Sequence, residues 1–286
     1  MKLATVRTAA GTAAVRVDER TGDGMGVQIS GVADVGELLA RPNWRELAAQ
    51  ADGPHWPLTD LATVIPRPGK VVCVGLNYRA HILEMGRPLP DYPTLFAKFT
   101  DTLIGAGDDI EIPADAADAV DWEGELVVVL GDTVRGADPT EAARAIAGYT
   151  VMNDVSMRDW QFRTREWLQG KNFGNSTPVG PVLVSADEWQ PGPTIRTLVD
   201  GKVMQQASTG DLVFDPAHLV SYISQMITLR PGDLIATGTP GGVGHARKPP
   251  RYLSPGAVVR TEIEGIGALE NTCVAVDRRG RRARPA

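Results

Sequence analysis

Glu123 and Glu125 stand at alternate positions in the stretch Asp121-Trp122-Glu123-Gly124-Glu125, and the apolar run Leu126-Val127-Val128-Val129-Leu130 follows at once. A short Val-rich run closed by Gly131-Asp132 reads as a buried strand. Side chains two apart on a strand share a face, so the two carboxylates point the same way. Held side by side they repel, and keeping both ionised calls for a cation between them. An acidic, solvated strand end has the same composition. These five residues leave both readings open.

Other residues bear on the choice. Tyr149-Thr150-Val151-Met152-Asn153-Asp154 reads as a second strand with a carboxylate, Asp154, at its end. Three carboxylates with water completing the shell suit Mg²⁺ or Mn²⁺ better than Zn²⁺, which favours His or Cys. His81 and Glu84 lie three apart on a short helical segment, Asn77 to Met85, with Asn77 as its cap and Gly86 as its stop. A carboxylate on one imidazole nitrogen raises the basicity of the other, as a general base requires, although such pairs are also routine on helix surfaces. Arg158 and Lys171 are cations that could offset a carboxylate cluster and bind an anion. The loop Thr237-Gly238-Thr239-Pro240-Gly241-Gly242-Val243-Gly244 lets backbone N–H groups approach an anion, but no Gly-Lys-Ser/Thr follows, so it is not a P-loop.

The elements that must position these residues follow from pattern. Residues 1–65 alternate apolar and polar side chains, with a turn signal at Asp23-Gly24 and a helical stretch near Trp44 to Ala51, and read as a small N-terminal α/β domain. Pro54, Pro57, Pro66 and Pro68-Gly69 mark its boundary with a main domain over 66–277. There Lys70 to Gly75 reads as a strand ending in Gly, yet Leu76-Asn77-Tyr78 follows, which excludes a dinucleotide fingerprint. Further strands are expected at 94–99, 109–113, 182–184, 195–199, 203–207, 234–236, 258–263 and 269–276. Helices are expected at 139–147 and 216–227, and a hairpin turn at Val199-Asp200-Gly201-Lys202.

A net charge of -6 argues against a nucleic-acid-binding protein. Arg278, Arg279, Arg281, Arg282 and Arg284 make residues 278–286 a basic tail, read as disordered. Only Cys73 and Cys273 are present, so neither a disulfide framework nor a zinc cluster is expected. No apolar run is long enough to cross a bilayer, and Met1-Lys2-Leu3-Ala4 opens no apolar leader, so the expectation is a cytoplasmic protein.

Taken in order, the pieces resemble the fumarylacetoacetate hydrolase family. The resemblance is carried by Gly75-Leu76-Asn77-Tyr78-x-x-His81-x-x-Glu84, Asp121-x-Glu123-x-Glu125-Leu126, Asn153-Asp154-Val155-Ser156-x-Arg158-Asp159-x-Gln161, Lys171, Pro178-Val179-Gly180-Pro181, and Pro231-Gly232-Asp233-x-Ile235-Ala236-Thr237-Gly238-Thr239-Pro240-x-Gly242-Val243-Gly244. It spans about residues 70 to 275. It implies an α+β, mostly β fold, a mixed β-sheet roll, in a homodimer. Mg²⁺ or Mn²⁺ would be held by Glu123, Glu125 and Asp154. His81 and Glu84 would sit on a mobile lid and activate water, Lys171 would add positive charge at a developing enolate, and Arg158, Gln161, Gly238 and Thr239 would contact a small 2-oxo acid. One departure stands out: many relatives carry Asp where this chain has Gly174, which bears on the substrate side of the pocket.

The presence of both His81 and Glu84 favours hydrolysis. The expected activity is cleavage of a carbon-carbon bond in acylpyruvate-type 2,4-dioxo acids, such as fumarylpyruvate, through an enolate stabilised by the metal. The alternative is an oxaloacetate-type decarboxylase, or an isomerase or hydratase of 2-hydroxyhepta-2,4-diene-1,7-dioate-like acids in aromatic catabolism.

Overall fold

A computed structural model describes residues 1–17, 24–114, 118–277 and 279–282. Asp23 of the expected turn, and Arg278 and Arg284 of the expected tail, lie outside the described residues.

The apolar run after Glu125 becomes the strand Gly124–Leu130, every residue of which is buried. Its antiparallel neighbour Ile146–Asn153 is buried throughout as well. Unbroken apolar sequence is what a strand covered on both faces requires, and alternate residues serve two cores. Leu126, Val128 and Leu130 pack with Tyr149, Val151, Leu219 and Ile223. Val127 and Val129 pack with Met152, Leu38, Trp44 and Val71 on the other side.

These strands lie inside an eleven-stranded sheet. From one edge it runs His55–Pro57, Met25–Gln28, Gly11–Val17, Lys2–Thr8, Thr177–Ser185, Ile146–Asn153, Gly124–Leu130, Leu234–Ala236, Val71–Gly75 and Thr94–Lys98, with Leu103–Ile104 joined to Thr177–Ser185. Pairing is antiparallel except where Leu234–Ala236 meets Val71–Gly75 and where Leu103–Ile104 joins. A five-stranded sheet, Lys202–Ser208, Thr194–Val199, Val258–Ile263, Gly267–Val276 and Ile110–Pro113, packs beside it, and Val120–Asp121 pairs with Ser156–Met157. The α+β, mostly β architecture with mixed sheets is as expected. The hairpin at Asp200-Gly201 also forms, with φ of 50° and 74°, the two positive values that a type I′ turn demands.

Two expectations change. The segment 1–65 is not set apart from the rest: Lys2–Thr8 pairs with Thr177–Ser185 in the register Leu3 with Leu183. Leu3 and Ala14 enter one core while Ala4, Val6, Ala13 and Val15 enter the other. The prolines at 54–68 therefore mark a crossing from one sheet edge to the far side. The described part of the basic tail is tied down, with Arg281 on Asp277 at 2.7 Å and Arg282 on Asp109 at 2.5 Å.

The site-bearing end of the sheet is closed by Asn77. The helix after it is Arg79–Glu84, capped by Tyr78, so Asn77 does not serve as its cap. Its side chain instead donates to the carbonyls of Phe214 (3.0 Å) and Thr237 (2.9 Å) and accepts the Phe214 N–H (2.8 Å), all buried. Asn77→Leu strands these groups, and a loss of about 2–4 kcal/mol in unfolding free energy is expected by denaturant titration.

Candidate active site

The strand carrying the carboxylates is interrupted at Trp122 and Glu123, between Val120–Asp121 and Gly124–Leu130. The neighbouring chain fills the gap: Asn153 Oδ1 accepts the Glu123 N–H at 3.0 Å, and the Asp154 N–H donates to the Glu123 carbonyl at 2.8 Å. This exchange brings Asp154, one residue beyond its strand, against Glu123. Glu123, Glu125 and Asp154 each offer an oxygen within 4.8 Å of the others, and all three residues are buried.

Charges around this cluster are almost, but not fully, balanced. Lys171 Nζ donates to Glu123 Oε2 at 2.7 Å and to Asp154 Oδ2 at 2.6 Å. Lys98 Nζ donates to Asp154 Oδ1 at 2.7 Å and also to the Lys171 carbonyl. Arg158 pairs with Asp121 and, at 2.6 Å, with Glu123 Oε1. Among the described residues no cation forms an ion pair with Glu125, whose carboxylate accepts the Gly238 N–H at 2.8 Å. Burial, then Asp154 and Glu123, push the Glu125 pKa well above the usual carboxylate range. Burial opposes ionisation of Asp154 too, but Lys171 and Lys98 outweigh it and its pKa is lowered. Four carboxylates thus face three cations, and the uncompensated one belongs to the triad. Clustered hard oxygen donors that lack one counter-charge fit a divalent ion of the Mg²⁺ class.

Asp121, on the other side of the break, does not join the triad. It accepts the N–H groups of Trp122 (2.9 Å), Gly244 (2.6 Å) and His245 (3.0 Å), together with Arg158 Nε (2.9 Å). The approach of Gly244 admits no side chain, since a Cβ there would lie 1.9 Å from the Arg251 carbonyl and 2.7 Å from Asp121 Oδ1. The glycine-rich loop therefore spends N–H groups of Gly238, Gly244 and His245 on the protein's own carboxylates.

A cavity of about 320 Å³ opens on Glu123 and Glu125 of the triad, lined also by His81, Arg158, Gln161, Lys171 and Thr239 and walled by Val74, Leu76, Phe96, Trp167 and Val243. Arg158 is fully engaged here, because Nη1 also donates to Gln161 Oε1 at 2.8 Å, so it orients Glu123 and Gln161. Burial works against the Lys171 ammonium, but Asp154 and Glu123 outweigh it and the pKa is raised, so Lys171 stays charged. Thr239 Oγ1 donates to the Gly124 carbonyl (3.0 Å) and accepts from Gln205 Nε2 (2.8 Å). Gly238 faces Glu125 and does not line the cavity.

His81 and Glu84 share a helix but not the cavity. His81 is half-buried in the wall between the cavity and a shallow outer groove, and exposed Glu84 lines that groove with Asp211, Gln206 and Pro240. Burial holds the imidazole below its ordinary value of 6.5, Glu84 pulling it upward and Arg87 pushing it further down. His81 is consequently neutral at pH 7. Gly174 also lies away from the cavity, exposed, and a Cβ there would meet the Asp101 carbonyl at 3.8 Å. The departure at that position does not reshape the pocket.

Sequence reasoning passed over Lys98 and Gln205. Lys98 ends an ordinary strand pattern and is nonetheless 3% exposed. Gln205 holds Gly124, Thr239 and Pro240 together through three hydrogen bonds. Neither carries a spacing signal, because each meets its partners only in the folded sheet.

Residues 70–274 match the family described as Fumarylacetoacetate (FAA) hydrolase C-terminal. The chain belongs to the fumarylacetoacetate hydrolase family. A human relative named oxaloacetate tautomerase FAHD2A, mitochondrial, is 42% identical over 245 residues, which cover 84% of this chain and 77% of the human protein. Fumarylacetoacetate hydrolase from Exiguobacterium antarcticum superposes with a TM-score of 0.85 at 32% identity, covering 96% of this chain and 100% of that one. The 5-carboxymethyl-2-hydroxymuconate delta-isomerase from Mycobacterium smegmatis gives 0.81 at 35% identity, with coverage of 96% and 100%. The protein is thus a family member whose relatives include tautomerases, isomerases and hydrolases.

The cytoplasmic expectation is corrected by these relatives, since the human and cattle proteins at 42% identity are named as mitochondrial. The apolar-leader criterion behind it detects secretory signals, whereas transit segments are amphipathic and Arg-rich. Among the described residues no helix is long and apolar enough to cross a membrane.

Lys98→Met leaves Asp154 Oδ1 and the Lys171 carbonyl without their shared ammonium. A loss of about 3 kcal/mol in stability is expected, with divalent-ion affinity falling about 10- to 100-fold by calorimetry. The two shifted carboxyls act with opposite signs on pH stability. Glu125, raised from 4.5, contributes stability that is fully present below 4.5 and lost as pH rises through its folded value. Asp154, lowered from 3.8, contributes above that value and loses its contribution as pH falls through the lowered one. The metal-free Tm should fall as pH rises from 4.5 through the raised Glu125 value more steeply than the Mg²⁺-loaded Tm, and Mg²⁺ binding should release protons over that range.

Proposed function

We propose that this protein is a divalent-metal-dependent enzyme that interconverts the keto and enol forms of an oxaloacetate-type 2-oxo dioic acid, with Mg²⁺ or Mn²⁺ held by Glu123, Glu125 and Asp154. The observation that carries this reading is the position of Glu84. A water-activating His–Glu pair needs its carboxylate hydrogen-bonded to the imidazole, and among the described residues no hydrogen bond joins His81 to Glu84, which lines the outer groove. Enolisation needs a proton carrier at the cavity wall and no activated water. The names of the human and cattle relatives support the same class.

A bound divalent ion supplies Lewis acidity toward the 2-oxo group. The Lys171 ammonium, fixed by Glu123 and Asp154, presents positive charge where the oxo oxygen gains electron density. Gln161, whose Oε1 is held by Arg158, keeps its amide Nε2 for the substrate carboxylate. The neutral His81 imidazole takes the proton from carbon 3 and returns one to the enol oxygen. Leu76, Phe96 and Trp167 exclude water from the reacting atoms. In line with the family resemblance, the reading includes a homodimer, to be checked by light scattering.

A second reading, hydrolysis of acylpyruvates, draws on one observation: the same neutral His81 could deprotonate a water in the cavity. Loss of enol absorbance, measured for oxaloacetate and a panel of acylpyruvates with Mg²⁺, Mn²⁺ or chelator, separates the two. Metal-dependent ketonisation of enol-oxaloacetate without release of carbon dioxide is expected. Acylpyruvate cleavage at comparable kcat/KM would sink the tautomerase reading. His81→Ala should lower kcat about 10²- to 10⁴-fold and Glu84→Gln by less than about threefold. The acid limb of the pH profile should have its midpoint below 6.5 and vanish in His81→Ala.

A further inference from the structure

The cavity has two unlike ends. Glu125, Lys171, Arg158 and Gln161 form its floor, each at most 6% exposed. Leu76, Met85 and Phe162 form its mouth, at 39%, 40% and 58% exposure. Three cations line the whole, Arg87, Arg158 and Lys171. On the floor both are already neutralised, Arg158 by Asp121 and Glu123, and Lys171 by Glu123 and Asp154.

Arg87 differs from them. It is exposed and lines the cavity, and among the described residues no ion pair or side-chain hydrogen bond is formed by it. Its backbone is nevertheless fixed: Gly86, at φ of 67°, ends the helix Arg79–Glu84, and the Arg87 N–H donates to the Ile82 carbonyl at 3.2 Å. His245, also at the mouth, has Nδ1 on the Tyr252 hydroxyl at 2.9 Å and its ring against Phe162, so its side chain is already engaged by its own neighbours.

We propose that Arg87 recognises the distal carboxylate of the substrate and makes the enzyme select 2-oxo dioic acids over 2-oxo monoacids, an inference that rests on the proposed 2-oxo acid chemistry at the floor. A short dioic acid whose 2-oxo carboxylate reaches the floor carries its second carboxylate toward the mouth. Against Leu76, Met85 and Phe162 that charge would lose hydration without return. The planar guanidinium of Arg87 restores it, binding both carboxylate oxygens in a fork that a lysine ammonium does not reproduce. A monoacid presents a methyl group there and gains nothing from the cation. Arg87 touches the end of the substrate remote from carbon 3, so it acts on binding, and its charge reaches the proton transfer only by lowering the His81 pKa.

The test is calorimetric binding of oxaloacetate and of pyruvate to the Mg²⁺-loaded full chain, comparing the native protein with Arg87→Leu and Arg87→Lys, followed by KM and kcat for oxaloacetate. Arg87→Leu should weaken oxaloacetate binding about 10- to 100-fold and pyruvate binding less than about twofold, with Arg87→Lys between. KM should rise while kcat, read on the plateau above the acid limb of each variant, stays within about threefold. Oxaloacetate affinity within threefold of the native protein, or an equal loss for pyruvate, overturns the assignment. Binding is read without turnover. A native protein that binds the dioic acid through Arg87 but does not enolise it would refute the proposed function and leave the carboxylate site standing.

Discussion

Four carboxylates converge on one buried region, and the fold has to hold them against their mutual repulsion. Asp154 carries the largest share of that task. Both its oxygens are bound by ammonium groups, Lys98 on one side and Lys171 on the other, and Lys98 also binds the backbone of Lys171. The first lysine therefore positions the second. Arg158 does the equivalent service for Asp121 and Glu123. Only Glu125 is left with a neutral N–H donor, and its raised pKa is the physical sign of the missing counter-charge. The same imbalance suits the triad to a cation and is the source of the pH dependence expected without one.

Much of this was legible in the chain, for reasons that differ from residue to residue. Leu126 to Leu130 announced a strand covered on both faces because such a strand needs no polar alternation, and the strand is there. Glu123 and Glu125 do converge, but simple alternation is not the cause. The strand breaks between them and Asp121, and Asn153 repairs the break, a tertiary exchange that no local pattern encodes. Lys98 and Gln205 were invisible because their meaning lies in partners 56 and 81 residues away. Glu84 is a different case. Its spacing from His81 is genuine and both line the outer groove, but only His81 reaches the cavity as well.

The N-terminal segment misled for a related reason. Prolines and alternating strands look alike whether they bound a domain or merely carry the chain to the far edge of a sheet. Register decides the matter: Leu3 opposite Leu183 makes the first strand a continuation of the central sheet, and its side chains fill both cores. A mutation at Leu3 or Ala4 therefore acts on the same packing that supports Gly124–Leu130.

The strand break at Glu123 has a further consequence. Glu125 lies on one of two adjacent antiparallel strands, and Glu123 and Asp154 each stand one residue beyond the end where Gly124 pairs with Asn153, so the spacing of the triad is measured out by the end of the hydrogen-bond ladder. The mouth is built from loop and helix-end residues such as Leu76, Arg87, Phe162 and His245, none of which takes part in that ladder. The sheet works as a ruler for the chemistry, and the rim as an exchangeable aperture. Substitutions at the rim can change which molecules enter without altering the distances on which the floor depends.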